Sequence, residues 1–253
     1  MHQQKRLTRK EKRKLRQAGL DVDENVGQDF LFKHTFKIKN ITPLTDNQRL
    51  VFDLFEEDRN ILLHGVAGTG KSFLSLYLSL RQVMEGESKY DKVVIVRSVV
   101  PTRDMGFLPG NNKEKSRVYE APYTAICSEL FGRGDAYATL CSKGFVEFIS
   151  TSFVRGTTFN DCIIVADEIQ NMDLGELDTV ITRIGKNCKL LMCGDFRQSD
   201  FRRDSERSGI MKFMSIIKAM NSFEFVDFQE QDIVRSALVK DYIITKDRLG
   251  ISV

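Results

Sequence analysis

Short runs in which nearly every residue is apolar recur along the chain: "NILLHG", "KVVIVRS", "CIIVADE" and "CKLLMCGD". Runs of that length, rich in Val, Ile and Leu and lacking polar alternation, predict strands buried on both faces. "GFVEFIS" predicts a further strand at a sheet edge, and "FEFVDF" a last one. Between them the period changes. "SFLSLYLSLRQVM" is apolar nearly all round, as in a helix buried against a sheet. "EKSRVYEAPYTAICSELFG", "LGELDTVITRIG" and "SGIMKFMSIIKAM" predict helices. Upstream, "DFLFKHTFKIKNITPL" alternates enough to predict a short strand. In "LTDNQRLVFDLFEED", Thr45 or Asp46 caps a helix whose apolar face is Leu50, Val51, Leu54 and Phe55. Strands alternating with helices imply an α/β fold: a mainly parallel sheet with helices on both faces.

The length of 253 residues suits one large α/β domain. Residues 28–253 are read as that domain and residues 1–27 as a basic, flexible N-terminal tail. Hydrophobic residues at 42% and charged residues at 29% describe a soluble globular chain. No apolar run reaches the roughly 20 residues of a membrane span. The polar, basic N-terminus lacks the apolar core of a secretory signal, so a cytoplasmic location and no membrane partner are expected. Five cysteines, none in a C-x-x-C pair, argue against a disulfide framework or a zinc site.

Charge changes the picture at one end only. The stretch "KRLTRKEKRKLR" holds eight basic residues and one acidic residue. Without them, 38 basic and 35 acidic residues fall to 30 and 34, so the positive charge belongs to the tail. Such a tail either contacts nucleic-acid phosphates or is a solvated leader.

The chemistry concentrates in three places. In "HGVAGTGKS", Gly65, Gly70, Lys71 and Ser72 match the P-loop pattern in full, between a strand and a helix. Glycines let the backbone wrap a phosphate with its N–H groups inward, and the following helix offers its positive N-terminus. Gly65, Val66, Ala67, Gly68, Thr69, Gly70, Lys71, Ser72 and Phe73 are therefore the expected nucleotide-binding residues. Lys71 reaches the outer phosphates and Ser72 is a ligand for Mg²⁺. At the end of "CIIVADE", Asp167 holds Mg²⁺ through water, and Glu168 deprotonates an attacking water. Gln198, closing "GDFRQ", suits a sensor of the terminal phosphate. Gln48 can pair the N6 and N7 edges of adenine. Arg235 in "EQDIVRSALV" is the leading arginine finger, with Arg97, Arg155, Arg183 and Arg197 as competitors. The chain is too short for two motor domains, so Arg235 is expected to act across a subunit interface. The segment "PTRDMGFLPGNNKEK" puts Met105, Phe107 and Leu108 beside Arg103, Lys113 and Lys115, a mixture that stacks on bases and holds phosphates, or packs on its own fold.

Those residues resemble the PhoH-like ATPases, in the variant carried by bacteriophages. The resemblance runs from about Thr45 to Val239 and rests on "GVAGTGKS", "VVPTRDMGFLPGNNKEK", "FVRGTTFNDCIIVADEIQN", "ITRIG", "GDFRQSD" and "DIVRSALV". It implies a RecA-like core, ATP hydrolysis with Mg²⁺, and a ring-shaped homo-oligomer, often a hexamer. It also implies a helicase-like link to nucleic acid, RNA or single-stranded DNA, and host cytoplasm as the location. By position, Gly65, Gly70, Lys71 and Ser72 bind nucleotide, Asp167 and Glu168 serve metal and water, Gln198 senses the γ-phosphate and Arg235 is the finger. The chain departs from relatives that have Pro where Ser98 follows Arg97. It also lacks the clustered acidic residues of those that carry a nuclease domain.

Two other functions share these motifs. A nucleotide-gated assembly module uses ATP to set oligomer formation without motor activity. A thymidine-kinase-like nucleoside kinase also pairs a P-loop with an acidic strand, but usually carries the C-x-x-C zinc pair that is missing here.

Overall fold

The computed structural model describes residues 32–33, 35–85, 88–99, 112–195 and 204–250, with the side chains of 112–117 and 204–208 excepted. The tail 1–27, the apolar residues Met105, Phe107 and Leu108, and Arg103, Arg197 and Gln198 lie outside the described residues. So do the side chains of Lys113 and Lys115.

Six strands form one sheet: β1 (Asn60–Gly65), β2 (Lys92–Arg97), β3 (Val146–Ser150), β4 (Cys162–Asp167), β5 (Cys188–Gly194) and β6 (Phe223–Phe228). Their order is β3-β2-β4-β5-β1-β6, and every neighbouring pair is parallel. Side chains along a strand alternate between faces, so one sequence run feeds two cores. Ile61, Leu63, Val93, Ile95, Ile163 and Val165 belong to one core. Leu62, Val94, Val96, Ile164, Ala166 and Met192 belong to the other. The first core is closed by α1 (Asp46–Glu56), α2 (Lys71–Met84), α3 (Asn112–Phe131) and α4 (Ala136–Ser142). The second is closed by α5 (Thr151–Val154), α6 (Leu174–Thr182) and α7 (Asp204–Ala219). A last helix, α8 (Ala237–Arg248), buries none of its residues and was not legible as a periodic run. The result is an α/β RecA-like fold, with the strand that enters the P-loop separated from the acidic strand β4 by β5.

The edges carry charge, which discourages pairing with another sheet. Lys92 pairs with Glu147 on edge strand β3, and Arg59 with Glu224 on β6.

Two expectations fail locally. Among the described residues of "DFLFKHTFKIKNITPL" no strand forms: residues 32, 33 and 35 are helical, and 37–43 are neither helix nor strand. The segment's polar backbone is used elsewhere. Lys39 N–H donates to Leu130 O at 2.8 Å and Ile41 N–H to the Tyr77 hydroxyl at 3.1 Å. Its alternation reflects aromatic anchoring, with Phe32 stacked on Phe36 and on Phe145. On α1, Thr45 is the N-cap and accepts from Gln48 N, but Leu50 is 41% exposed, and Gln48 takes a buried position beside Val51 and Phe55.

Candidate nucleotide site

The site lies where the strands end. The β1–α2 turn needs backbone that only glycine adopts freely: Gly65, Gly68 and Gly70 have φ of 115°, 77° and 86°. Gly65 is constrained further, because a β-carbon there would sit 2.0 Å from Phe228 O on β6. Val66 N–H donates to that same carbonyl at 3.0 Å, so the loop is pinned to the edge strand at its first residue. Gly65→Ala is expected to cost about 3 kcal/mol of stability through strain and displacement of β6. Urea unfolding of the variant against the parent measures it, and a loss below about 0.5 kcal/mol would contradict this account of the pin.

Inside the turn, Lys71 Nζ donates to Gly65 O at 2.9 Å and to Val66 O at 2.8 Å. Thr69 Oγ1 donates to Val66 O at 3.0 Å. Burial pushes the Lys71 pKa down, opposed by the Asp195, Glu168 and Asp167 carboxylates. The ammonium is therefore poorly solvated and faces carboxylates, a state that a polyanion improves. Ala67 lies half-buried within the turn, and Phe73, half-buried in the first turn of α2, packs on the core rather than taking a polar role.

The acidic partners arrive by topology. Helix α2 crosses β5, with Ser75 Oγ 3.1 Å from Cys193 Sγ. That path carries Ser72 over to the end of β4, where its hydroxyl donates to Asp167 Oδ1 at 2.7 Å. The other carboxylate oxygen, Oδ2, accepts from the Tyr123 hydroxyl on α3 at 2.8 Å. Glu168 follows in the left-handed region, φ 52° and ψ 45°, which turns its side chain away from strand alternation. Gln170 Nε2 donates to Glu168 Oε2 at 2.5 Å, while Gln170 Oε1 accepts from Asp195 N–H at 3.1 Å. Gly194 makes room for this turn: a β-carbon there would lie 2.6 Å from Ile169 Cγ1. Burial and then the neighbouring Asp167 raise the Glu168 pKa, against the pull of Arg97, Gln170 and Lys71. A carboxylate that holds its proton more tightly is a stronger base when ionised.

Asp167 and Ser72 supply hard oxygen donors, which suit Mg²⁺. Among the described residues no group of three or more His, Cys, Asp or Glu could hold a metal ion. Such a sparse set fits an ion that arrives with phosphate oxygens and keeps its waters, and does not fit a permanent protein-caged metal.

The remaining residues named from the sequence stand as follows. Gln48 is 4% exposed and its amide is engaged at both ends. Oε1 accepts from Leu44 N–H at 2.8 Å, and Nε2 donates to Thr69 O at 3.1 Å. As placed it braces the phosphate loop, and reading adenine would require both bonds to be released. Its neighbour Asn47, unforeseen, donates to the buried Asp232 at 2.7 Å and fixes the segment after β6. That segment returns to the loop: Val234 N–H donates to Gly68 O at 3.1 Å. Arg235 follows, and its Cγ would lie 3.1 Å from a β-carbon at Gly68. The stem of Arg235 therefore rests on its own chain's loop. Arg97 is brought to the acids, because β2 and β4 pair with Arg97 opposite Asp167. Ser98 is buried and donates to Glu176 Oε1 at 3.2 Å.

Tyr123 was not singled out from the sequence. Tyr123 sits in a helix remote in sequence, and only the strand order and the packing of α3 bring it to β4.

The strand–glycine-turn–helix unit and the acidic strand end, one strand removed, form the P-loop NTPase arrangement. The PhoH-like protein family profile matches residues 40–245. A PhoH-like protein of Bacillus subtilis is 29% identical over 230 residues, covering 90% of this chain and 70% of that one. One from Mycobacterium leprae is 28% identical over 211 residues, covering 81% of this chain and 58% of that one. Protein PhoH of Escherichia coli is 29% identical over 185 residues, and the match spans only 51% of its length. The family match encloses every element that builds the site, from α1 through Arg235, and on that basis the chain belongs to the PhoH-like protein family.

Proposed function

We propose that the chain hydrolyses ATP with Mg²⁺ and links that cycle to RNA or single-stranded DNA. One observation carries the chemistry: Ser72 meets Asp167 at 2.7 Å at the same sheet edge that presents the half-buried Glu168. A kinase has no need of a base for water, and a hydrolase does.

In this reading the N–H groups of the turn and Lys71 hold the phosphates. Mg²⁺, when bound, neutralises phosphate charge during transfer. Ser72 turns its hydroxyl oxygen toward the ion, and Asp167 orients the ion's water shell. Glu168, aimed by Gln170, takes the proton of the attacking water. Gln198 senses the terminal phosphate, and Arg235 offers its charge from the loop that closes over Gly68.

Phosphate release measured with RNA, with single-stranded DNA and without polymer tests the reading. A several-fold rise with one polymer is expected, and equal rates in all three would remove the nucleic-acid link. Removing residues 1–16 should flatten the salt dependence of polymer binding, since eight cations leave with them. An unchanged salt slope would mean that the tail touches no phosphate.

A second reading, a nucleotide-gated assembly module, draws on α8. That helix follows Arg235 and exposes Leu238 at 79% and Tyr242 at 66%. Sedimentation showing a ring with ATP, together with hydrolysis indifferent to polymer, would favour it.

A further inference from the structure

We propose that Arg97 and Tyr123 are positioning residues that fix the rotation of the Asp167 carboxylate, so that one oxygen alone is left to receive Mg²⁺ with its nucleotide. The inference rests on the ATP–Mg²⁺ reading above and adds to it two residues outside the P-loop and the acidic pair.

β2 and β4 are neighbours in parallel register, and Arg97 stands directly opposite Asp167 at their carboxyl ends. The register makes that approach unavoidable. A cation is thus delivered beside Asp167 and Glu168, and both carboxylates interact with it electrostatically. From the layer above, α3 lowers Tyr123, which is 1% exposed, onto the same point. The Tyr123 hydroxyl donates to Asp167, and the Arg97 guanidinium interacts electrostatically with the same phenol.

Hydrogen-bond chemistry fixes the direction of this chain. Arginine has donors only, so toward Arg97 the phenol oxygen can act only as an acceptor. The phenol has one proton, and a carboxylate only accepts, so that proton goes to Asp167 Oδ2, 2.8 Å away. Ser72 donates to the other oxygen, Oδ1, at 2.7 Å. Asp167 is 3% exposed and cannot exchange these partners for solvent. The two donors are not equivalent. Ser72 belongs to the first turn of the P-loop helix and gives up its proton contact when its oxygen turns to a cation. Tyr123 is fully buried with the Arg97 charge beside it and keeps its hold. Oδ1 is therefore the oxygen released toward the metal's waters, and Oδ2 remains the fixed hinge.

A merely structural tyrosine would fill space and satisfy its hydroxyl, and its loss would weaken the protein alike with and without metal. A positioning tyrosine affects the metal-dependent part of nucleotide binding. The test titrates a fluorescent ADP analogue into the full chain, with Mg²⁺ and with EDTA, for the parent, Tyr123→Phe, Arg97→Gln and the double variant. The parent should bind more tightly with Mg²⁺. Tyr123→Phe should lose roughly ten-fold of that Mg²⁺-dependent gain, the worth of one hydrogen bond to a charged group, and stay within about two-fold of the parent in EDTA. Because the chain runs through one hydroxyl, the losses of Arg97→Gln and Tyr123→Phe should not multiply in the double variant. An Mg²⁺-dependent gain that survives Tyr123→Phe overturns the proposal. So does an equal loss in Mg²⁺ and EDTA, or multiplication of the two single losses. Should Tyr123→Phe not fold, retention of the full gain by Arg97→Gln overturns it as well. A parent that binds no nucleotide in either buffer brings down the ATP reading itself, and this proposal with it.

Discussion

Glu168→Gln is expected to lower turnover by about 10²- to 10⁴-fold, the range contributed by a positioned general base. The amide keeps the shape and still accepts from Gln170, which donates to Glu168 Oε2 in the parent, but it cannot take a proton from water. Nucleotide binding should persist, because Lys71, Ser72 and Asp167 are untouched. Steady-state phosphate release and nucleotide titration measure the two halves, and a variant that hydrolyses at the parental rate excludes Glu168 as the base.

The same substitution carries a stability prediction of defined sign. Burial raises the Glu168 pKa above its ordinary value, so the folded protein binds that proton more tightly than the unfolded chain does. The favourable contribution is present in acid and is lost as pH rises through the raised value. Above that raised value the ionised, half-buried carboxylate is a net cost, which glutamine does not bear. Glu168→Gln should therefore melt at or above the parental temperature there, and the gain should shrink as pH falls through the raised value, which thermal unfolding across pH measures. An active-site residue that weakens the fold it serves is a familiar trade between stability and activity.

Lys71→Ala has the second large effect, on binding rather than on the chemical step alone. The ammonium is buried among the loop carbonyls and has its pKa lowered by that burial, so a phosphate relieves it. Losing it should weaken nucleotide binding by about 10²-fold or more, the worth of one to two charged hydrogen bonds. Turnover should fall to background. The fold should change by no more than about 1 kcal/mol, because removing an ill-solvated cation offsets the bonds lost to Gly65 O and Val66 O. Calorimetric titration and thermal unfolding separate these outcomes. Binding retained with stability lost would mark Lys71 as a structural brace.

Much of the architecture was legible because parallel strands buried on both faces write themselves as unbroken apolar runs. β1, β2, β4 and β5 are of this kind, and their ends coincide with "HG", "R", "AD" and "CG". The phosphate turn was legible for a related reason: three positive-φ glycines and a lysine at fixed offsets leave few other uses. What failed was context. In the described part of 29–44 the alternation was aromatic anchoring of Phe32 and Phe36 against α3 and the core, which mimics strand periodicity. Leu50 and Gln48 exchanged their expected burial because the amide has two partners waiting at Leu44 and Thr69. Tyr123 and Arg97 could not be assigned from spacing, since their meeting with Asp167 depends on strand order and on the seat of α3. Arg235 was found in sequence, but the contact of its stem with Gly68 requires the Asn47–Asp232 bond that folds the segment back.

The central claim is that one pocket grips a nucleoside triphosphate and hydrolyses it through Glu168. A single-turnover quench tests it most directly: radiolabelled ATP and Mg²⁺ are mixed with excess parent or Glu168→Gln, and the bound nucleotide is identified by chromatography. The account predicts ADP from the parent and intact, bound ATP from the variant. ADP formed equally fast by both, or no nucleotide retained by either, would contradict it.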